Sequence, residues 1–134
     1  MICLGTCTLL MVLRDKKMIV VVEGTKAFSD YDTFTRAMSV ALSNLDKEND
    51  SKFEVWTAGP NNINNYTASF CNITENFLKQ KGIRVRFTKV PYSYIEENLD
   101  FVDYYAFFSN PNEKASRLTT KAEEANVDVA IYRY

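Results

Sequence analysis

The stretch Met18-Ile-Val-Val-Val22 restricts the fold of this chain more than any other. It is an unbroken apolar run, mostly β-branched, with no polar residue alternating through it. A strand with one wet face alternates, whereas a continuous run predicts a strand buried on both faces. Strands of that kind belong to parallel sheets, because the crossover returning each parallel strand carries a helix onto a sheet face.

Helix and strand signals then alternate along the chain. Ser29 stands where a helix N-cap belongs, with Asp32 in the capping-box position. Phe34, Ala37, Met38, Ala41, Leu42 and Leu45 follow on one helical face. Residues 46–52 read as a polar loop, and Phe53 to Ala58 as a second strand. The segment Gly59-Pro-Asn-Asn-Ile-Asn-Asn65 reads as a turn, and Tyr66, Phe70, Ile73 and Phe77 as the apolar stripe of a second helix. Gly82 sits where a C-terminal glycine ends that helix.

Ile83, Val85 and Phe87 alternate with Arg84, Arg86 and Thr88, which predicts a half-exposed strand near an edge. Pro91 interrupts, Ser93 to Leu99 reads as a short helix, and Tyr104 to Phe108 as a fourth strand. Asn110-Pro-Asn-Glu113 predicts a helix start, with Asn at N-cap, Pro at N1 and Glu at N3. Ala115, Leu118, Ala122 and Ala125 continue that helix, and Val127, Val129 and Ile131 close the chain as a fifth strand. The order βαβαβ(α)βαβ predicts an α/β three-layer sandwich. Its five-stranded, mostly parallel sheet carries helices on both faces; right-handed crossovers restrict the topology to a few choices, and the strand order 3-2-1-4-5 is expected.

The chain has 134 residues, enough for one core, so residues 18–134 are expected to form a single domain. Residues 1–17 form an N-terminal extension. Its apolar part, Ile2 to Leu13, precedes Arg14-Asp15-Lys16-Lys17. A signal peptide carries its charge first, and this run is too short to span a bilayer as a helix. One reading makes Met18 the natural start and the preceding residues a frayed or artefactual extension. The other makes Cys7 to Leu13 an extra edge strand or a partner contact.

Composition excludes several functions. Histidine is absent, which removes the commonest general base and metal ligand. Catalysis would fall to carboxylates, Lys, Tyr or a thiol, and neither a metal site nor a cofactor is read from the sequence. An odd count of three cysteines, Cys3, Cys7 and Cys71, points to a reducing, cytoplasmic setting. In that setting the sequons at Asn65 and Asn72 are chance matches. The net charge is −1 with no basic stripe along the chain, which argues against nucleic-acid binding.

In an open parallel sheet, ligands bind beyond the carboxyl ends of the strands, where the strand order reverses. For order 3-2-1-4-5 that point lies between strands one and four. Three loops converge there: Gly24 to Asp30, Gly59 to Asn65, and Ser109 to Lys114. Each leads into a helix N-terminus, whose free N–H groups attract anions. Gly24, Thr25 and Lys26 are candidate ligand contacts on the first loop. Gly59, Asn61 and Asn62 are candidates on the second, and Ser109, Asn110 and Lys114 on the third. Each loop also has a purely structural reading, as a turn, an Asx-turn or a cap.

The segment Val22-Glu-Gly-Thr-Lys-Ala-Phe-Ser-Asp-Tyr31 resembles the opening of the YspA-like branch of the SLOG superfamily. Members begin with a strand, then Gly-Ser/Thr-Arg, an aromatic residue, and an Asp before the first helix. The matching positions are Gly24, Thr25, Lys26, Phe28 and Asp30, with Lys in place of Arg, which adds Phe28 and Asp30 to the candidates. The resemblance implies a Rossmann-like fold that binds nucleotides or nucleotide-derived ligands. The second family motif keeps only Gly59, and the third is reduced to Asn110-Pro-Asn-Glu-Lys114, without glycine. Arg117 stands nearest the family's catalytic Glu, so no catalytic residue carries over. Glu23, a substitute acid, is read instead as a strand-end residue facing solvent or paired with Lys26.

The leading expectation is therefore a non-catalytic binding module for a nucleotide-derived small molecule, in the style of a phage or mobile-element accessory protein. A nucleotide hydrolase is the second reading. A surface-interaction protein, forming a homodimer or higher homo-oligomer, is the third.

Overall fold

The computed structural model describes residues 16–46 and 48–133. The expectations for Cys7 to Leu13 lie outside the described residues. Strand β1 (Lys16–Gly24) begins two residues before the apolar run, because Lys16 and Lys17 already pair with β2 (Asp50–Thr57). β3 (Arg84–Lys89), β4 (Tyr104–Ser109) and β5 (Asp128–Arg133) complete one sheet in the order β3-β2-β1-β4-β5, with every pairing parallel. The expected architecture and strand order are those observed.

Residue parity on β1 divides the core into two layers. Met18, Val20 and Val22 join Phe53, Val55, Ala106 and Phe108 on one face, under α1 (Tyr31–Ser43) and α2 (Asn61–Gln80). Ile19 and Val21 join Trp56, Tyr105 and Phe107 on the other. That second face packs against α3 (Tyr92–Glu97), a 3₁₀ turn (Leu99–Phe101) and α4 (Arg117–Glu124). β1 is thus buried on both faces, as its sequence requires.

Local boundaries depart from expectation in several places, and β2 begins at Asp50, inside the expected polar loop. The cap of α1 is Asp30, not Ser29: its carboxylate accepts from the Thr33 N–H at 3.0 Å and the Thr33 hydroxyl at 2.8 Å, while Ser29 is exposed. Helix α2 starts at Asn61, so the four Asn residues read as turn are helical. Gly59, in the turn before it, has φ 102°, a conformation that favours glycine.

The buried stripe of α2 is Ile63, Thr67, Phe70, Cys71 and Leu78, with Tyr66 packed half-buried beside it. Ile73 and Phe77 lie off that stripe and are exposed. Thr67 sits on the buried side without cost because its hydroxyl donates to the Ile63 carbonyl at 2.7 Å. Finally, Asn110 does not start a helix. Asn110 to Glu113 forms an isolated turn, and α4 begins at Arg117 with Ser116 as its cap. Glu113 still makes the bond of a capping box, accepting from the Asn110 N–H at 2.7 Å. The turn is fixed by its partners on the β1–α1 loop rather than by a helix. No described helix is long and apolar enough to cross a membrane.

Candidate functional site

After β1 the chain turns toward the α1 face, and after β4 toward the α4 face, so the strand order reverses between these two strand ends. The three loops named from the sequence do meet there. They meet by bonding to one another. The Thr25 N–H donates to the Phe108 carbonyl at 3.0 Å, and the Thr25 hydroxyl donates to Glu113 at 2.6 Å. Asn62 donates to the carbonyls of Thr25 at 3.1 Å and Phe28 at 2.8 Å. Asn110 donates to the Ala27 carbonyl at 3.4 Å.

The remaining candidates divide by role. Phe28 is buried in the core, 5.2 Å from Phe108 between ring centres. Asp30 caps α1, and Gly59 donates its N–H to the Thr57 hydroxyl at 3.1 Å. Gly24 is fully hemmed in: a Cβ there would lie 2.6 Å from Ile63 Cδ1 and 2.8 Å from the Phe108 oxygen. Its missing side chain therefore lets β1, α2 and β4 approach each other. Ser109 is buried, with a hydroxyl oxygen that has no protein partner. Lys26, Asn61 and Lys114 are exposed and face outward at this rim.

The open cleft lies on the other side of the same strand end, and Glu23 forms its floor. Glu23 is 3% exposed, so it neither faces solvent nor pairs with Lys26. Its parity with Ile19 and Val21 aims it toward α3 and α4, where three hydroxyls hold it. Ser116 donates to Oε1 at 2.6 Å, Tyr105 donates to the same oxygen, and Tyr92 donates to Oε2 at 3.1 Å. Burial first, and the neighbouring Glu23 charge second, push the Tyr92 phenol up to about 12 and the Tyr105 phenol well above its ordinary value. Both phenols therefore remain protonated and able to donate at neutral pH.

The cleft has a volume of about 350 Å³, bounded by Glu23, Tyr92, Ser116 and Leu118 with Arg117, Lys121 and Glu96 at its charged rim. Lys121 pairs with Glu96, whereas Arg117 has no ion-pair partner among the described residues. The first N–H groups of α4 lack intrahelical partners by helix geometry and add positive potential to this end. Tyr92, Tyr105, Ser116, Arg117 and Lys121 were not candidates from the sequence. The signal that could have found them was the parity of Glu23 on a strand buried on both faces. Among the described residues, no group of three or more His, Cys, Asp or Glu side chains is placed to hold a metal ion.

No protein-family model matches the chain, and no curated protein matches it. Among solved structures it is similar to the crystal structure of Mycobacterium tuberculosis shikimate dehydrogenase. The identity is 10% and the TM-score 0.42, over 87% of this chain and 46% of that one. The chain thus spans about half the length of that enzyme. The Rossmann-like α/β fold stands on the sheet itself, through its strand order, its parallel pairing and its helices on both faces.

Proposed function

We propose that the chain is a SLOG-like binding module whose ligand is a nucleotide or nucleotide-derived small molecule, seated over Glu23. The observation that carries this reading is a buried carboxylate at a strand end, held by hydroxyls alone and opening onto a cleft. A buried charge is costly unless it is paired or well bonded, and an apolar residue here would fold more easily. Such departures from local fitness concentrate at functional sites.

The acceptor count fits a ribose. A carboxylate oxygen accepts about two hydrogen bonds. Oε1 takes both of its bonds from Tyr105 and Ser116, while Oε2 takes one from Tyr92. One acceptor position therefore remains on Oε2, suited to a sugar hydroxyl. Arg117 and Lys121, on the same cleft, supply positive charge for a phosphate. Lys26, Asn61 and Lys114 extend the rim for a longer ligand.

A thermal-shift panel of AMP, ADP-ribose, NAD and cyclic nucleotides tests the reading, because a ligand held only by the folded state raises its melting temperature. Glu23→Gln keeps the side chain's size. Its amide oxygen can serve Tyr105 and Ser116, but its NH₂ group replaces the free acceptor with a donor. The variant should fold and bind roughly ten- to a hundredfold more weakly, the range for one bond to a charged group. A flat response of the native protein to the whole panel would sink the proposal.

The same carboxylate favours one second reading, hydrolysis of an N-glycosidic or phosphoester bond with Glu23 as the acid or base. Product formed from nucleoside monophosphates, and lost in Glu23→Gln, would support it. Activity unchanged in that variant would exclude Glu23 from the chemistry.

A further inference from the structure

The second face of the sheet is unevenly covered. α3, the 3₁₀ turn and α4 pack over β1, β4 and β5. Over β2 and β3, among the described residues, Tyr94 reaches across beside Val90, edge-on to Trp56 at 5.1 Å. An open concavity of about 620 Å³ remains there, lined by Lys17, Lys52, Glu54, Arg84 and Arg86 beside these two aromatics.

The strand register makes this face unusual. Lys17 pairs with Lys52, and Lys52 with Arg84, so three cations stand abreast on three adjacent strands. Neighbouring strands are only about 4.8 Å apart, and like charges directly opposite one another destabilise a sheet. Arg86 follows Arg84 on the same face, about 6.6 Å further along β3. Glu54 is the one carboxylate lining the concavity, and it is already engaged by Lys17 at 3.5 Å and by the Trp56 N–H at 2.9 Å. Lys52, Arg84 and Arg86 have no ion-pair partner among the described residues.

We infer that this face is a second ligand site, taking a small molecule that carries two or more linked phosphates. Three unpaired cations, spread over two strands, match a chain of phosphates better than a single one. The two guanidinium groups can each grip phosphate oxygens in a fork. The concavity has the volume of a small-ligand site. A single-stranded nucleic acid fits less well, because it needs a succession of exposed rings for its bases to stack on. Here Tyr94 alone among the lining rings is exposed, and Trp56 beneath it is only 4% exposed. The site shares no lining residue with the Glu23 cleft.

The test is isothermal titration of the full chain with sodium tripolyphosphate, pyrophosphate and orthophosphate at constant ionic strength. Affinity should rise with the number of phosphates. The double variant Lys52→Gln/Arg84→Gln, and separately Arg86→Gln, should each weaken tripolyphosphate binding at least tenfold. Lys79→Gln, an exposed cation on α2 outside both clefts, should leave it unchanged. The double variant should also melt no lower than the parent in the absence of phosphate, since it removes crowded like charges from exposed positions. Absence of tripolyphosphate binding at millimolar concentration would overturn the inference. So would sensitivity to Arg117→Gln in place of Lys52 and Arg84, or tighter binding of an oligothymidylate through the same cations. Because the probe has no ribose, failure here is distinct from failure of the nucleotide panel at Glu23.

Discussion

Replacing Gly24 with alanine asks whether the first loop is shaped by the protein or by a ligand. The added methyl would stand 2.6 Å from Ile63 Cδ1, 2.9 Å from Ile63 Cγ1 and 2.8 Å from the Phe108 oxygen. Carbon atoms settle at about 3.5–4.0 Å, so all three contacts are too close. Ile63 is a buried side chain whose tip could turn. The Phe108 oxygen cannot move freely, because it accepts from the Thr25 N–H at 3.0 Å. Overpacking costs about 1–3 kcal/mol. A weakened buried hydrogen bond adds about 0.5–1.5 kcal/mol. The stiffer unfolded chain returns about 0.4–1 kcal/mol.

The central expectation is a net loss of about 2–3 kcal/mol. In urea, with a slope of about 1.3 kcal/mol/M, the midpoint should fall by roughly 2 M. The fluorescence of Trp56, the single tryptophan, would report the transition. Ile63→Val removes the nearest clashing atom. Alone it should cost about 0.5–1.5 kcal/mol. Combined with Gly24→Ala it should cost less, with a coupling of about 1 kcal/mol. A stability change under about 0.5 kcal/mol for Gly24→Ala, or strict additivity with Ile63→Val, would refute the packing explanation. Unchanged stability with lost nucleotide binding would instead assign Gly24 to the ligand.

Two further outcomes follow from single groups. Hydrogen bonds from the Thr33 N–H and hydroxyl hold the Asp30 carboxyl below its ordinary value. The Asn49 amide does the same for Asp46, and the Thr25 hydroxyl for Glu113. Their stabilisation is present in full above the unfolded values near pH 4 and is lost as pH falls through the lower folded values. Urea midpoints from pH 7 to pH 2.5 should therefore fall on the acid side, and Asp30→Asn, also a good cap, should flatten that fall; an unaltered acid slope in the variant would contradict it. Burial pushes the Cys71 thiol up to about 12, leaving roughly one thiolate in ten thousand at pH 8. The peptide containing Cys71 should resist iodoacetamide in the native protein and label on unfolding; rapid native labelling would show that α2 opens readily.

The architecture was legible because it depends on features that act locally. The β-branched run of β1, the alternation of β3 and the glycine after α2 each identify an element without reference to the rest of the chain. The errors arose where a tertiary contact outranked a local preference. Asn110, Pro111 and Glu113 have the residue types of a helix start. Thr25 nevertheless bonds Glu113, Ser116 is drawn to Glu23, and the helix begins later. Ile73 and Phe77 share a stripe with Tyr66 and Phe70. Packing of α2 against the sheet instead turns Ile63, Thr67, Cys71 and Leu78 inward with Phe70. The cationic face was not legible because Lys17, Lys52 and the Arg84/Arg86 pair are far apart in the chain. Only the pairing register brings them side by side.

The sequence candidates and the Glu23 cleft occupy opposite sides of one strand end, and residue parity separates them. Gly24 faces α2, together with Val20 and Val22, while Glu23 faces α3 and α4 with Ile19 and Val21. A convergence of polar loops looks like a binding site when the loops are read one at a time. Once three such loops meet without space between them, they satisfy one another. Asn62 is used on Thr25 and Phe28, Thr25 on Glu113, and Asn110 on Ala27. Ligand binding needs groups whose hydrogen-bonding capacity the fold has not consumed. At this strand end the open position on Glu23 Oε2 and the unpaired Arg117 meet that condition on one side. The Ser109 hydroxyl is also unpartnered but buried, and on the other side Lys26, Asn61 and Lys114 meet it only at the rim. A ligand that touches both sides must therefore cross the ends of β1 and β4 above the Thr25–Phe108 bond. On the proposed binding mode, a diphosphate-linked ligand such as ADP-ribose has more length for that crossing than AMP. Lys26→Ala should accordingly weaken ADP-ribose more than AMP, a comparison contained in the same nucleotide panel.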